Sequence, residues 1–329
     1  MRQPASSNNA INTLNMLSNA QSYFVSKLSY LCKKQSLPEQ FIGIEWLRDN
    51  GSHGGGIRFE APINSIFNQA SVNVSQIQYE NNHDKKFISA TALSTIIHPV
   101  NPLSPSVHIH VSWTELRSGK NYWRLMADLN PAINNESDTK KFNQSLQKIS
   151  GKYYQQAKKQ GDEYFYIPTL QAHRGASHFY LEGFNPEESD GLEFAKQFIH
   201  NVIDNYIAIL SHHLSQPTIL VTEKQKQAQL DYHTLYFYQV LTLDRGTTAG
   251  LLAHNQNDVG TLGSLPRFVN RNLLLTWAEK TPPPRNKLVN ALIATLPEFN
   301  NSRQASEITT DVKINIAQAI RTHYQIHPQ

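Results

Sequence analysis

Apolar residues near the start of the chain recur every three or four positions, which is the pattern of an amphipathic helix. This helix follows a polar, Asn-rich segment, and its apolar positions are Ile11, Leu14, Leu17, Phe24, Val25, Leu28 and Leu31. A glycine-rich run, DNGSHGGG, comes next at Asp49 to Gly56. It predicts a loop whose glycines let the backbone approach a ligand or another strand closely.

Between Ala70 and Leu125 the apolar pattern changes to period two, which predicts successive antiparallel strands. The strands are rich in β-branched and aromatic residues and are separated by Pro, Asn and Gly, as in SVNVSQIQ, ISATALSTII, VHIHVSW and NYWRL. Helical spacing returns over Lys140 to Gln160 and over Phe194 to Leu210.

The last third of the chain begins with LYFYQVLTL at Leu235 to Leu243, which predicts a further strand, and two helices are expected near Leu288 to Leu296 and Val312 to Tyr324. Strands therefore cluster in the middle of the chain. This order favours an α+β fold, with a large antiparallel β-sheet flanked by helices on both faces. Because no Pro/Gly/Ser-rich linker and no repeat divides the sequence, a single domain over residues 1–329 is predicted.

Composition narrows the classes of function. Lys and Arg total 30 against 26 Asp and Glu, and the net charge of +4 is too small to indicate a nucleic-acid groove. Cys32 is the only cysteine, which excludes a disulfide framework and a Cys-based metal site and suits a reducing compartment. The N-terminus has no apolar signal segment, and Lys196, Asp204 and His212 interrupt the most apolar helical stretch. The sequence predicts a cytoplasmic protein without membrane or nucleic-acid partners.

Three histidines form the first candidate site. In IIHPVNPLSPSVHIHVSW, His98 ends one strand, and His108 and His110 lie two positions apart on the next. Period two places His108 and His110 on one face, where both imidazoles could reach a single metal ion. The alternative is a set of hydrogen-bonded or solvated histidines without chemistry. The spacing alone leaves both interpretations open.

Two further motifs contain acidic residues. Asp128 in MADLNP is expected to follow a strand and precede an Asn-Pro turn, where an Asp often only accepts backbone N–H bonds. Asp244 and Arg245 in LDRGTTAG are expected at a corner after an aromatic strand, and an ion pair inside a hairpin is the simpler account. Neither motif alone identifies a function.

Taken together and in order, these motifs resemble the oxygen-dependent coproporphyrinogen III oxidase family. The resemblance covers about residues 46 to 271 and is carried by GGGIRF, IFNQASVNVSQI, ATALSTIIHPVNPLSPSVHIHV, YWRLMADLNP, DEYFYIP, HRG, LDRGT and LGSLP. The ordered set is specific, because unrelated folds would not reproduce these motifs at matching distances.

The resemblance implies a homodimer whose subunit holds a reduced tetrapyrrole in a deep cleft beside a large antiparallel sheet. Members of the family convert two propionates into vinyl groups and release carbon dioxide. They use dioxygen as a co-substrate and need neither a metal nor an organic cofactor, because an electron-rich pyrrole can itself reduce oxygen. The protein is then left to orient the ring and to move protons.

Matched position by position, the resemblance implies catalytic roles for His108, as proton donor, and for Asp128, as the carboxylate that receives the pyrrole N–H groups. Ser94 matches a substrate contact, and His98 matches the histidine of the His-Pro motif. The complete set of predicted substrate-binding residues is Ser94, His98, His110, Arg124, Arg174, Asp244 and Arg245.

Several positions that the family uses for its substrate differ in this chain. His110 and Ser112 stand in place of an asparagine and an arginine. Arg124 to Met126 replace a glycine triplet, and Ser177 and His178 replace a glycine pair. Side chains therefore project where the family keeps bare backbone. The hypothesis that follows is an oxidative decarboxylase with a rebuilt pocket, acting on coproporphyrinogen III or on another carboxylate-bearing heteroaromatic compound.

Two alternatives belong to other classes of protein. The first is a catalytically inactive tetrapyrrole binder that retains the fold, which the number of replaced motif residues favours. The second is a metal enzyme that uses His98, His108 and His110.

Overall fold

The chain forms two compact units in the computed structural model, which describes residues 1–186, 188–216, 220–298 and 305–328. The first unit comprises Met1–Tyr164 and Gly175–Ile219, and the second comprises Phe165–Arg174 and Leu220–Gln329. A single domain over residues 1–329 stays a prediction.

The described residues contain both helices and strands in large number. The helices are α1 (Asn8–Lys34), α2 (Glu136–Ser150), α3 (Tyr154–Phe165), α4 (Glu188–Ser215), α5 (Glu223–Thr242), α6 (Arg245–Ala253), α7 (Asp258–Thr261), α8 (Arg271–Lys280), α9 (Arg285–Thr295) and α10 (Thr310–Ile326). The strands are β1 (Ile42–Leu47), β2 (Gly54–Glu60), β3 (Phe67–Gln78), β4 (Phe87–Pro99), β5 (Ser106–Leu116), β6 (Tyr122–Asn130), β7 (Tyr166–Ile167), β8 (Ala172–His173), β9 (Ser177–Phe184), β10 (Phe268–Val269) and β11 (Ser306–Glu307).

One antiparallel sheet dominates the first unit. Among the described residues it has seven strands in the order β1-β2-β3-β4-β5-β6-β9. Each strand pairs with its predecessor in the chain until β6, after which α2, α3 and the β7–β8 ladder precede β9. The predicted α+β class with a large antiparallel sheet is therefore confirmed.

The core of the first unit lies between one face of this sheet and two long helices. α1 packs on β3 and β4, and α4 packs on β5 and β6. Leu93, Val111 and Leu125 are cross-strand partners on β4, β5 and β6, and all three are fully buried in a core that includes Phe24 of α1 and Phe198 of α4. Period-two alternation directs these apolar side chains to the helices and sends their chain neighbours to the opposite face.

The opposite face of the sheet meets α3 at its β9 edge. Asp162 of α3 binds His178 of β9, and the rings of Tyr164 and Tyr180 lie 4.7 Å apart. Gly161 permits this contact, because a Cβ atom built on it would lie 2.9 Å from Cβ of His178. Helical side chains thus reach both faces of the sheet.

The glycine-rich run departs in part from its predicted loop. Its second half, from Gly54, forms the start of β2 between β1 and β3. A Cβ atom on Gly54 would lie 2.2 Å from the Gln76 carbonyl oxygen, and one on Gly55 would lie 2.2 Å from the Trp46 carbonyl oxygen. The prediction of a close approach to another strand is confirmed. The prediction of a loop through Gly56 was wrong, because backbone pairing on both sides holds these glycines in a strand.

Most of the predicted helices are confirmed. The N-terminal pattern forms α1, Phe194 to Leu210 lies within α4, and the last two patterns form α9 and α10. The stretch from Lys140 to Gln160 is divided into α2 and α3, because Gly151 adopts a positive φ of 48° at the end of α2. No helix within the described ranges is long and apolar enough to cross a membrane.

The strand predicted at Leu235 to Leu243 was wrong. Leu235 to Thr242 forms the C-terminal part of α5, and every residue from Tyr236 to Thr242 is buried. A helix that is buried on all sides shows no amphipathic periodicity, so a run of aromatic and β-branched residues resembles a strand. The capping box at Thr222 and Gln225 marks the true start of this element.

Candidate active site

One face of the seven-stranded sheet carries most of the predicted site residues. Two adjacent cross-strand rows run over β4, β5, β6 and β9 on the side opposite α1 and α4. The first row is Ile96, His108, Asp128 and His178, and the second is Ser94, His110, Met126 and Tyr180. We call this surface the polar face, and its polar members are Ser94, His98, Ser106, His108, His110, Ser112, Arg124, Asp128, Asn130 and His178.

Asp128 anchors the polar face. It lies within β6 and is 0% exposed, so the predicted position after the strand was wrong. One carboxylate oxygen, Oδ1, lies 2.8 Å from Nδ1 of His108, and Oδ2 accepts a 2.7 Å hydrogen bond from Nδ2 of Asn130. Each oxygen of the carboxylate therefore has a donor from the neighbouring strand or from its own strand.

The Asp128 contact determines how His108 can act. An ionised carboxylate only accepts hydrogen bonds, so His108 donates from Nδ1 and Nε2 becomes the ring nitrogen that exchanges a proton. The His108 side chain is 17% exposed, whereas Asp128 is fully buried. This arrangement suits a proton-transfer residue whose ring is oriented by a buried acid. The predicted contact of Asp128 with pyrrole N–H groups stays a prediction.

His110 and His98 are each held by serine hydroxyls. Nδ1 of His110 lies 2.7 Å from Oγ of Ser94, and its Nε2 lies 3.1 Å from Oγ of Ser112. His98 is fully buried, and its Nδ1 lies 2.9 Å from Oγ of Ser106. Ser94 is thus brought directly to His110. A hydroxyl both donates and accepts, so these pairs are compatible with either neutral tautomer of the rings.

Of the predicted arginines, Arg124 lies on the polar face. It is the cross-strand partner of Ser112, and its guanidinium pairs with Glu182 of β9. Burial acts to lower the pKa of Arg124, but Tyr180, Glu182 and Tyr122 act to raise it and the net shift is upward. Its Nε atom is buried without a hydrogen-bond partner among the described residues. Arg124 is therefore charged and retains unused donor capacity.

Arg174 belongs to the second unit, and its contacts there are extensive. It is 1% exposed, and its guanidinium carbon lies 4.4 Å from the Phe165 ring centroid and 4.9 Å from that of Tyr236. Nη1 donates a 2.6 Å hydrogen bond to Oε1 of Gln239. These stacking and hydrogen-bond contacts stabilise the second unit. A substrate-binding role for Arg174 stays a prediction.

Asp244 and Arg245 also lie in the second unit, at the start of a helix. Asp244 is the N-cap of α6 and accepts a 2.6 Å hydrogen bond from the backbone N–H of Thr247, and Arg245 is the first helical residue. The expected corner after an aromatic strand, with an ion pair in a hairpin, was wrong, because α5 and α6 flank this position. Asp is a preferred N-cap residue, so this contact stabilises the helix end. Their predicted contacts with substrate stay untested.

The metal interpretation of the three histidines finds no support in the ligand geometry. Nδ1 of His98, His108 and His110 faces Ser106, Asp128 and Ser94, respectively. Within the part of the chain that the structure describes, no group of three or more His, Cys, Asp or Glu side chains is arranged to hold one metal ion.

Sequence reasoning did not select Asn130, Asp162 or His178 as site residues. Asn130 continues the alternation of Met126 and Asp128, so the period-two pattern could have found it if the Asn-Pro pair had not suggested a turn. The contact of Asp162 with His178 joins a helix to a strand and has no local sequence signal.

The chain is similar in sequence to one family of known proteins. The chain matches the model of the family described as Coproporphyrinogen III oxidase over residues 12–295. It is 30% identical over 255 residues to the oxygen-dependent coproporphyrinogen-III oxidase of Rickettsia bellii (strain OSU 85-389), covering 72% of this chain and 87% of the relative. It is 28% identical over 281 residues to the protein of the same name from Rickettsia rickettsii (strain Sheila Smith), covering 76% of this chain and 96% of that relative. It is 26% identical over 267 residues to the mitochondrial oxygen-dependent coproporphyrinogen-III oxidase of Rattus norvegicus, covering 73% of this chain and 58% of that relative. The chain therefore belongs to the coproporphyrinogen III oxidase family.

Proposed function

We propose that this protein is an oxygen-dependent oxidase that decarboxylates the propionate side chains of a reduced tetrapyrrole, without a metal or organic cofactor. The observation that carries the proposal is the buried Asp128 carboxylate, which holds His108 at 2.8 Å on the polar face. For each propionate, the balanced reaction takes one carboxylate, one dioxygen and one proton. It yields one vinyl group, one carbon dioxide and one hydrogen peroxide.

The residues of the polar face divide this work in the proposal. His108 delivers a proton to the reduced oxygen, and Asp128 and Asn130 keep its ring oriented. Arg124 attracts a substrate carboxylate, supported by its charge and by its Nε atom, which has no partner among the described residues. Ser94 and His110 present polar atoms to the ring from the neighbouring row. In this proposal the protein contributes the orientation of the substrate and the transfer of protons, without a cofactor.

The replaced family positions support a rebuilt substrate pocket. A charged hydrogen bond contributes roughly 1.5 to 3 kcal/mol, so the loss of the propionate-binding arginine that Ser112 replaces would lower affinity by about one to two orders of magnitude. Arg124 compensates for part of this loss at a new position. The substrate is therefore coproporphyrinogen III or another heteroaromatic compound that carries carboxylates. A cytoplasmic homodimer belongs to the same proposal and is supported by the family resemblance.

The test is oxygen consumption by the purified protein with coproporphyrinogen III, under air and under nitrogen, coupled to mass spectrometry. We expect products that have lost carbon dioxide and two hydrogens per propionate, formed only under air. The same assay with metal chelator present should give an unchanged rate. Tight binding of coproporphyrin without oxygen uptake would instead favour the inactive tetrapyrrole binder.

A further inference from the structure

A second imidazole stands beside Asp128 on the polar face. His178 of β9 is the direct cross-strand partner of Asp128 on β6, just as His108 is its partner on β5. Cross-strand partners share a face and lie close together, so His108 and His178 flank the same carboxylate. The His178 side chain is only 7% exposed, which places its ring within the sheet surface and not in bulk water.

His178 is oriented by an acid of its own. Its Nδ1 lies 2.9 Å from Oδ1 of Asp162 on α3, and Lys158 one helical turn earlier lies 2.5 Å from Oδ2 of the same carboxylate. Burial acts to raise the pKa of Asp162, but the hydrogen bonds from Lys158 and His178 outweigh it and the pKa lies below its usual value. The ionised Asp162 therefore accepts from Nδ1 of His178, and Nε2 becomes the ring nitrogen that exchanges a proton.

The proposed reaction needs more than one proton transfer. Dioxygen takes two electrons and two protons to become hydrogen peroxide. The propionate carbon next to the ring loses one proton, and the electron pair of that carbon–hydrogen bond passes through the pyrrole to dioxygen. The electron pair of the bond to the departing carbon dioxide then forms the vinyl double bond. One proton therefore leaves carbon while two arrive on oxygen, with a net uptake of one from solvent.

We propose that His178 is a second proton-transfer residue of this site, accepting the proton from the propionate carbon while His108 supplies a proton to the reduced oxygen. This inference rests on the proposed function. His108 on β5 and His178 on β9 flank Asp128 on β6, and each imidazole is oriented by a carboxylate, Asp128 for His108 and Asp162 for His178. The reaction thus has one group for each direction of proton transfer. Without the His178 base, cleavage of the carbon–hydrogen bond becomes the slow step.

The test compares wild-type protein with His178→Asn, because an Asn side chain keeps a donor for Asp162 and removes the titrating ring. We expect kcat for oxygen uptake to fall about 10²- to 10⁴-fold, with little change in KM or in melting temperature. Coproporphyrinogen III deuterated at the propionate carbon next to the ring should show a larger kinetic isotope effect with the variant than with wild type. His83→Asn, at an exposed loop position, is the matched control and should behave as wild type.

The pH dependence of kcat distinguishes a proton-transfer role of His178 from a purely structural role. A proton acceptor works only when unprotonated, so kcat of the wild type should fall on the acid side and His178→Asn should lose this limb. Among the described residues, the ionisable groups around His178 include Asp162 and Lys158 from α3, Asp128 from β6 and, across Asp128, His108 from β5. Asp162→Asn should move the same limb, whereas Glu163→Gln, an exposed neighbour on α3, should leave it in place.

The outcomes separate the two proposals. If wild type turns over and His178→Asn matches its kcat, isotope effect and pH profile, the role of His178 is overturned and the proposed function stands. If His178→Asn does not fold, the displaced acid limb of Asp162→Asn carries the test, and an unmoved limb overturns the role. If wild type itself consumes no oxygen with coproporphyrinogen III, both proposals fail.

Discussion

The two faces of the central sheet are built from the same strands and do different work. Leu93, Val111 and Leu125 point to α1 and α4 and are fully buried among apolar side chains. One residue further along β4, or one residue earlier on β5 and β6, the chain carries Ser94, His110 and Arg124 on the polar face. Adjacent positions on a strand thus separate stability from chemistry, because alternation sends them to opposite sides of the sheet. Substitutions on the two faces should therefore differ in which property they change.

The largest effect is expected from Asp128→Asn on the polar face. The variant keeps the size of the side chain but removes the ionised acceptor that orients His108, so kcat should fall by about 10²- to 10⁴-fold. The assay is oxygen uptake at saturating substrate, with circular dichroism to confirm folding. Asp84→Asn, on an exposed loop, is the control. A folded Asp128→Asn protein with wild-type kcat would remove the catalytic role of this face.

Leu125→Ala tests the helix-covered face of the same strand. The lost side chain leaves a cavity under α4, so the free energy of unfolding should fall by about 2 to 5 kcal/mol. The kcat per folded molecule should remain near wild type, because Leu125 points away from Asp128. Urea denaturation and oxygen uptake below the transition measure the two quantities. Leu37→Ala, at an exposed position, should change stability by no more than about 0.5 kcal/mol.

Ser94 and Thr95 are neighbours on β4 that lie on opposite faces of the sheet. Smaller effects are expected when they are substituted. Ser94→Ala removes the 2.7 Å contact to Nδ1 of His110 and should raise KM about fivefold, which corresponds to about 1 kcal/mol. Thr95→Val on the helix-covered face removes a hydroxyl that is buried without a partner among the described residues. It should raise the free energy of unfolding by about 1 kcal/mol and leave KM unchanged. Equal effects on KM would contradict the separation of the two faces.

The smallest effect is expected from the acid that supports His178. The pKa of Asp162 is lower in the folded protein than its usual 3.8, so its contribution to stability is present above that value and is lost as pH falls through the folded pKa. The stability difference between wild type and Asp162→Asn should therefore be largest above about pH 5 and shrink below about pH 4. Chemical denaturation at several pH values measures it, with Glu163→Gln as the control. A difference that grows toward acid pH would contradict the direction of the shift.

The success of sequence reasoning differed between parts of the chain. Amphipathic α1 and the alternating strands β3 to β6 were predicted, because each exposes one face and shows a clear period. The buried end of α5 was not, since burial on all sides erases the period. Asp128 was found by its motif, but its burial within β6 and its contact with Asn130 were not foreseen.

The sequence by itself determined the alternation of the central strands, and with it the assignment of His108 and His110 to one face, because side-chain direction follows from local backbone geometry. It also determined the family to which the chain belongs. Tertiary structure alone decided that His178 lies beside Asp128, that Asp162 orients it, and that Arg174 is enclosed by Phe165, Tyr236 and Gln239. These contacts join segments that are distant in the chain, so they depend on strand register and helix packing and not on any local pattern.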